Sequence, residues 1–266
     1  MDKKQKQVVL ITGASSGIGR ATACYFAERG YKVYGVARND FKVDGVVPIL
    51  ADITDRAAVK DTVDFVIKLE GKIDILINNA GMGVAGAVET TSLEDAKKQF
   101  EVNYFGTVNM TTAVLPYMRK KLSGKIINTS SVASIIPIPF QAYYSSCKAA
   151  LDNWAKALRL ELKPYNITVT NILPGDIKTG FTGSRTKHLD KKSPYYAVES
   201  KSIEKMEKDE ESGMDPIVVA KKMYKVATKK NPPYTVTCGA AYKMVAFLQK
   251  ILPTRFVMWI VSKLYL

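Results

Sequence analysis

A glycine-rich turn near the start of the chain lies between an apolar run and a helical pattern. Residues 8–11 are continuously apolar, which is typical of a strand buried in a parallel sheet. Residues 12–19 read Thr-Gly-Ala-Ser-Ser-Gly-Ile-Gly, and a helical pattern then covers residues 20–29. Glycines let the backbone approach a pyrophosphate, and a helix N-terminus offers it free N–H groups. The turn therefore predicts a βα unit that binds a dinucleotide.

Apolar runs and helical patterns alternate along the rest of the chain. Further strands are predicted at 32–37, 46–51, 73–77, 125–129, 167–172 and 234–237, and further helices at 55–69, 93–118, 144–158 and 216–228. Residues 39–45 lack a helical pattern, so we expect the crossover helix there to be absent or reduced. Strands that alternate with helices form a parallel sheet covered on both faces, and 266 residues suffice for one sizeable core.

Composition limits the classes of function. Cys24, Cys147 and Cys238 lie far apart without metal-ligand or disulfide spacing, so we predict no metal site and a reducing, cytoplasmic compartment. No stretch of about 18 apolar residues occurs, and the run at 8–11 is too short for a signal-peptide core. The formal charge of +14 fits a solvated basic surface, an anionic lipid surface or a phosphorylated cofactor. No nucleic-acid-binding signature is present, so we predict no nucleic-acid partner.

Tyr144 and Lys148 stand four residues apart at the start of a predicted helix. Residues at i and i+4 share a helix face, so the phenol and the ammonium point the same way. A nearby ammonium favours the phenolate and lowers the tyrosine pKa from about 10. Such a tyrosine can exchange a proton with a carbonyl or alcohol oxygen near neutral pH. Alone, the pair is equally typical of a solvated helix.

Arg38 ends the second predicted strand, where a dinucleotide-binding fold contacts the adenine ribose. An acidic residue at this position suits a ribose 2′-hydroxyl, whereas arginine suits a 2′-phosphate. The alternative is a surface arginine after a strand. We therefore predict that the cofactor is NADP(H) rather than NAD(H).

Four motifs in order make the sequence resemble the short-chain dehydrogenase/reductase family. They are T-G-x-x-x-G-x-G at 12–19, N-N-A-G at 78–81, a serine with Y-x-x-x-K at 144–148, and Pro-Gly at 174–175. The resemblance covers residues 7–182 firmly and continues loosely to 239. Within the family the sequence is most similar to the 17β-hydroxysteroid dehydrogenase-like reductases.

The serine and the tyrosine each have an adjacent competitor. Ser131 lies thirteen residues before Tyr144, which is the spacing of the family, and Ser130 and Tyr143 have the same spacing. Only Tyr144 is followed four residues later by lysine, because residue 147 is a cysteine. The lysine therefore selects Ser131 and Tyr144.

The resemblance implies an α/β fold with a single Rossmann-type domain. Its doubly wound parallel sheet would have seven strands in the order 3-2-1-4-5-6-7, with helices on both faces. The domain would span 1–240 and include a charged insertion at 180–215. The implied activity is that of an NADP-dependent oxidoreductase that interconverts a carbonyl and a secondary alcohol on an apolar substrate, such as a steroid, retinoid or acyl chain. The alternative is a catalytically silent, dinucleotide-binding regulatory protein.

The resemblance also implies roles for individual residues. Tyr144 would be the general acid, and Lys148 would lower its pKa and bind the nicotinamide ribose. Ser131 would orient the substrate oxygen, and Asn103 would hold a water that links Lys148 to solvent, although a mid-helix asparagine can simply face solvent. The residues expected to bind the cofactor are Gly13, Ser15, Ser16, Gly17, Ile18, Gly19, Arg38, Asp52, Ile53, Asn79, Ala80, Gly81, Tyr144, Lys148, Pro174, Gly175, Ile177 and Thr179.

The sequence departs from the common pattern of the family in its short segment after Arg38 and in its charged stretch 183–212, and a tail follows the complete family core. Residues 183–212 are highly charged, and we expect an exposed, mobile insertion or a lid, with His188 solvated. Residues 241–266 form an apolar and basic tail without Asp or Glu. Such a composition predicts an interfacial helix on anionic lipid, so that the protein contacts a membrane surface through 242–266. Alternatively, the tail packs over the substrate pocket or against a partner in the homo-oligomer that we also expect.

Overall fold

A parallel sheet of seven strands forms the centre of the protein. The computed structural model describes residues 6–266, so the first five residues of the predicted domain lie outside it. The strands within residues 6–266 are β1 (Val8–Thr12), β2 (Lys32–Ala37), β3 (Val46–Leu50), β4 (Ile75–Asn78), β5 (Val84–Gly86), β6 (Gly124–Thr129), β7 (Ile167–Leu173), β8 (Thr186–His188) and β9 (Thr235–Thr237). The main sheet has the order β3-β2-β1-β4-β6-β7-β9, and β5 pairs with β8 separately. The predicted strand order is confirmed, because β5 and β8 stand outside this sheet.

Helices cover both faces of the sheet, as predicted. They are α1 (Gly17–Ala27), α2 (Arg56–Glu70), α3 (Leu93–Phe100), α4 (Gly106–Lys121), α5 (Ala142–Glu161), α6 (Phe181–Ser184), α7 (Tyr196–Glu211), α8 (Pro216–Thr228), α9 (Ala240–Leu248) and α10 (Thr254–Tyr265). One apolar core joins the sheet to α2, α4 and α5, and a second joins it to α1 and α8. As expected, no helix lies between β2 and β3.

The burial of β1 on both faces explains why its sequence is continuously apolar. Val8 and Leu10 pack in the first core, whereas Val9 and Ile11 pack in the second. Successive side chains of a strand point to opposite faces, so a strand covered on both faces needs apolar residues throughout. The strand order reverses beside β1, between β2 and β4, and in such sheets ligands bind outside the carboxyl ends of the strands at this point.

The predicted helix at 93–118 is interrupted. Helix α3 ends at Phe100, a π-helical segment covers Glu101–Phe105, and α4 starts at Gly106. Asn103, in the middle of this segment, is buried. Wide turns of this kind occur mostly at functional sites, and a pattern of apolar residues alone does not reveal them.

The charged insertion is folded against the protein, which contradicts the expectation of an exposed segment. Ile203 and Met206 of α7 are buried and pack near Ala85 of β5. Glu199 is fully buried, and one of its carboxylate oxygens accepts a hydrogen bond of 2.5 Å from the Ala87 N–H. Charged residues on the outer face of α7 concealed this inner face in the sequence.

The prediction that His188 is solvated is wrong. His188 lies in β8, is half-buried, and its Nε2 is 2.9 Å from Oδ2 of Asp95. Its partner lies 93 residues earlier in the chain, so local sequence offered no sign of this contact.

Candidate active site

A cavity of about 780 Å³ lies at the carboxyl ends of the central strands. It is lined by all the residues that the sequence singled out, with the exception of Gly19. The structure therefore brings Asn103, Ser131, Tyr144 and Lys148 together with the glycine-rich turn, although the four side chains come from three separate segments.

The glycine-rich turn forms one end of the cavity. Gly13 and Gly17 have φ angles of +67° and +51°, which other residues adopt only under strain. Gly19 packs inside the turn, because a Cβ on it would lie 2.0 Å from the Gly13 carbonyl oxygen. Helix α1 then starts at Gly17, and Ser16 before it makes no side-chain cap. The first N–H groups of α1 thus remain available for an anion.

Asn79 and Thr12 hold the turn in place. The Thr12 hydroxyl accepts hydrogen bonds from the N–H groups of Asn79 and Ala80, at 2.9 and 3.1 Å. The Asn79 side chain donates in return to the carbonyl oxygens of Thr12 and Gly13, at 3.2 and 3.3 Å. The first two motifs, distant in sequence, are therefore one hydrogen-bonded unit.

Arg38 and Asp52 lie at the outer part of this end. Arg38 is exposed and lines the cavity. Burial alone would raise the pKa of Asp52. Hydrogen bonds from Thr54 and the positive charge of the nearby Arg38 guanidinium nevertheless hold this pKa below its ordinary value. Asp52 is thus a carboxylate at neutral pH, with its charge partly balanced by Arg38.

Tyr144 and Ser131 form the centre of the cavity. The Ser131 side chain lies close enough to the Tyr144 hydroxyl to lower its pKa, and Ser131 Oγ accepts a hydrogen bond of 3.1 Å from the Ala133 N–H. Tyr143 does not line the cavity; its hydroxyl donates to the Val88 carbonyl at 3.5 Å. This geometry agrees with the choice of Ser131 and Tyr144 over their neighbours.

The expectation that Lys148 lowers the pKa of Tyr144 differs from what the structure shows. Burial raises the pKa of Tyr144 to about 12, against the opposing effects of Ser131 and Arg185. Lys148 Nζ lies 5.7 Å from the centre of the Tyr144 ring and donates to the Thr129 carbonyl at 2.8 Å. Burial also lowers the pKa of Lys148. Burial is thus the largest influence on the pKa of both groups.

Asn103 is fixed by the backbone after β4. Its amide nitrogen donates to the Met82 carbonyl, and its amide oxygen accepts from the Met82 N–H, both at 2.8 Å. The side chain lines the cavity and does not face solvent, which excludes the alternative of a surface amide.

The tail closes the other end of the cavity. Helices α9 and α10 and their connection contribute apolar lining residues, among them Val245, Leu248, Leu252, Val257, Val261 and Leu264. The Tyr242 ring packs on Gly175, and its hydroxyl donates to the Asp176 carboxylate. The predicted alternative in which the tail packs over the pocket therefore holds for its inner face. No helix within residues 6–266 is long and apolar enough to cross a membrane.

Residues 7–190 match the family model described as short chain dehydrogenase. This chain belongs to the short-chain dehydrogenase/reductase family. It is 42% identical over 238 residues to a 3-ketodihydrosphingosine reductase of Bacteroides thetaiotaomicron, with 88% of each chain covered. That relative fits the steroid-dehydrogenase-like group expected from the sequence.

Solved structures of the family have the same fold. A short-chain dehydrogenase from Streptomyces avermitilis matches with a TM-score of 0.82 and 28% identity, over 94% of each chain. A serine dehydrogenase in complex with NADP+ matches with a TM-score of 0.75 and 27% identity, over 87% of this chain and 94% of its own. Members of the family bind NAD(H) or NADP(H), and this protein is an oxidoreductase of that family.

The family motifs did not point to a group of residues beside Tyr144. The Phe181 ring lies 6.1 Å from the Tyr144 ring, between centroids. Arg185 forms an ion pair with Glu210 of α7, which also accepts a bond of 2.6 Å from the Thr182 hydroxyl. The only signal in the sequence was the mixture of acidic and basic residues, which is equally typical of a solvated surface.

Proposed function

We propose that this protein is an NADP(H)-dependent oxidoreductase that interconverts a ketone and a secondary alcohol on a long-chain lipid. One observation carries the proposal: the Tyr144 hydroxyl and Ser131 stand in a single cavity, between a dinucleotide turn and an apolar wall formed by the tail. A membrane lipid has a reactive polar end and a long apolar chain, which is what these two ends accommodate.

The residues at the turn fit a dinucleotide. A Cβ on Gly13 would lie 2.8 Å from Ala80 Cα, and a Cβ on Gly81 would lie 3.2 Å from Asn103 Oδ1, so the glycines let the backbone segments of the turn pack closely against each other. The free N–H groups of α1 suit the pyrophosphate, and Arg38 would pair with a 2′-phosphate. Lys148 would bind the nicotinamide ribose.

Tyr144 is the proton donor in the reductive direction. When bound, the nicotinamide supplies the hydride. The raised pKa keeps the Tyr144 hydroxyl protonated at neutral pH, so it can give its proton to the carbonyl oxygen. Ser131 orients that oxygen through its hydroxyl. Asn103 keeps the backbone of Met82 in place at the wall, and a water held there would link Lys148 to solvent.

The relative named as a 3-ketodihydrosphingosine reductase supports the choice of lipid. It matches 88% of this chain, and its name specifies a ketone on a long-chain base. The apolar lining from α9 and α10 supports the same choice, since a small polar substrate would gain nothing from it.

A turnover screen tests the proposal. NADPH oxidation is measured with 3-ketodihydrosphingosine, a steroid ketone, a retinoid aldehyde and a 3-oxoacyl thioester as substrates. We expect 3-ketodihydrosphingosine to give the highest kcat/KM. A higher value with another substrate overturns the choice of lipid. Binding of NADPH without turnover of any substrate favours the silent regulatory protein.

The outer face of the tail fits an anionic membrane surface. Phe247 and Trp259 are 60% and 56% exposed, and Met244, Ile251 and Phe256 are exposed beside them. The tail carries Lys243, Lys250, Arg255 and Lys263 but no Asp or Glu. Apolar side chains with basic residues are typical of helices that lie in the lipid headgroup region. We therefore propose that the protein contacts anionic lipid through the tail, with its substrate pocket directly beneath.

A further inference from the structure

A buried arginine beside Tyr144 has a donor without a partner. Arg185 lines the cavity and is 5% exposed. One terminal nitrogen, Nη2, forms the ion pair with Glu210, whereas Nη1 has no hydrogen-bond partner. Its Cζ lies 5.6 Å from the centre of the Phe181 ring, which packs near Tyr144. A buried donor without a partner is unfavourable, so Nη1 is suited to donate a hydrogen bond to an oxygen of a bound molecule.

A carboxylate in the same wall forms no ion pair within the described residues. Asp176 follows β7, lines the cavity, and accepts a hydrogen bond from Tyr242. Among residues 6–266, no cationic side chain forms an ion pair with it; Lys205 pairs with Asp209 and Arg185 with Glu210. Burial is the main cause that raises the pKa of Asp176, and the charges of Asp209 and Glu210 raise it further, against the opposing effects of the Tyr242 hydrogen bond and the Lys205 ammonium. A cation bound beside Asp176 would offset both effects.

The charges of this wall select the type of polar group that can bind. Near this wall the carboxylates of Asp176, Asp209 and Glu210 outnumber the cations of Arg185 and Lys205 by one. An anionic head, such as a phosphate or a fatty-acid carboxylate, would be repelled by the carboxylate in excess. A head that carries one positive charge and a hydroxyl group would satisfy both Asp176 and Arg185 Nη1.

Building on the proposed function, we propose that Asp176 and Arg185 form the head-group site for a lipid ketone with a protonated amine. Asp176 accepts from the ammonium on the carbon next to the ketone, and Arg185 Nη1 donates to the neighbouring hydroxyl oxygen. The hydrocarbon chain runs along the apolar wall of α9 and α10. The substrate class is thus a 2-amino-1-hydroxy-3-ketone with a single long chain.

The first test uses the unmodified protein and two substrates. The kcat/KM with NADPH is measured for 3-ketodihydrosphingosine and for its analogue without the amine, at equal chain length. We expect the analogue to be poorer by about 10- to 100-fold, because a charge-assisted contact is lost. Equal values overturn the head-group site but leave the reduction of lipid ketones intact. If neither ketone is reduced, the proposed function fails and the head-group site fails with it.

The second test uses matched variants. Asp176→Asn retains an oxygen for the Tyr242 hydroxyl but removes the charge, so the preference for the amine substrate should fall to about one, a loss of ~10- to 100-fold. Arg185→Lys retains the charge but lacks Nη1. It should lower kcat/KM for both substrates, because both carry the hydroxyl. Glu204→Gln, which removes an exposed carboxylate of α7 that is paired with Lys208, is the control and should leave the preference unchanged. An Asp176→Asn protein that keeps the full preference overturns the proposal.

Discussion

The two ends of the cavity are built in different ways. The proposed cofactor end consists mainly of backbone, small residues and a helix N-terminus, held by hydrogen bonds between the end of β1 and the residue after β4. The proposed lipid end consists of side chains from α7 and the tail, which follow the first two motifs by more than a hundred residues. Tyr144 stands between them. The cofactor end is thus determined by local backbone geometry, whereas the lipid end depends on packing between distant segments.

The largest expected effect arises where the two ends meet. Tyr144→Phe keeps the ring packed against Phe181 but removes the proton, so kcat should fall by about 10²- to 10⁴-fold. Fluorescence titration should show unchanged NADPH affinity. Tyr143→Phe is the control, and a loss of activity there instead of at Tyr144 would show that the wrong tyrosine was chosen.

Membrane contact should be a property of the lipid end alone. The double variant Phe247→Glu, Trp259→Glu should bind anionic vesicles about 100-fold more weakly or worse, because each exposed side chain buried in lipid contributes about 1.5–3 kcal/mol. Flotation with phosphatidylserine vesicles at low salt measures this.

Leu69→Glu, on α2 and 57% exposed, is the matched control for the vesicle experiment and should bind like the unmodified protein. If the unmodified protein stays in the soluble fraction, the proposal of membrane contact is wrong.

Light scattering on the same samples tests the expected homo-oligomer. If a second copy of the chain packs on the tail, the particle mass should depend on Phe247 and Trp259.

Cofactor preference should be a property of the cofactor end alone. The unmodified protein should have a higher kcat/KM with NADPH than with NADH, and Arg38→Asp should reverse this by about 10- to 100-fold through loss of charge-assisted bonds to the 2′-phosphate. Kinetics with both cofactors at a fixed ketone concentration give the ratio. Equal efficiency with both in the unmodified protein would refute the role of Arg38.

Asp74 lies outside both ends, just before β4. Its substitution should have the smallest effect on function. Burial would raise its pKa, but hydrogen bonds from Lys121, the Val8 N–H and Lys72 hold that pKa below its ordinary value. A lowered pKa contributes stability that is present above about pH 4 and is lost as the pH falls through the folded-state pKa.

Asp74→Asn should therefore lower the free energy of unfolding by about 1–3 kcal/mol at pH 7, with a smaller difference from the unmodified protein at acid pH. Urea denaturation at several pH values measures this. Substrate preference, cofactor ratio and vesicle binding should not change; a change in any of them would mean that the ends are not independent of the rest of the sheet.

The sequence predicted the sheet and the cofactor end well for a physical reason. Both depend on short-range requirements, such as apolar residues on both faces of β1 and small residues where the backbone approaches a ligand. The sequence also placed Arg38, Asn79 and Tyr144 on one cavity, because parallel strands end at one edge of the sheet.

The lipid end could not be predicted in the same way. The burial of Glu199 depends on the Ala87 N–H, and the pKa of Tyr144 depends on surroundings that include Arg185 and Glu210. These contacts join residues 25 or more positions apart, and a charged helix such as α7 reads as solvated until its partner is known. Asn103 shows the same limit, since its π-helical turn departs from the regular helical period.

Gly19 matters for the proposed cofactor end although it does not line the cavity. The residue does not line the cavity, yet any side chain on it would meet the Gly13 carbonyl oxygen and the Asn79 amide, at 2.0 and 2.5 Å. Replacing it would force apart the turn that we propose binds the pyrophosphate. A genetic screen for defective cofactor binding would thus recover Gly19 among the strongest alleles, although no atom of it touches the nucleotide site.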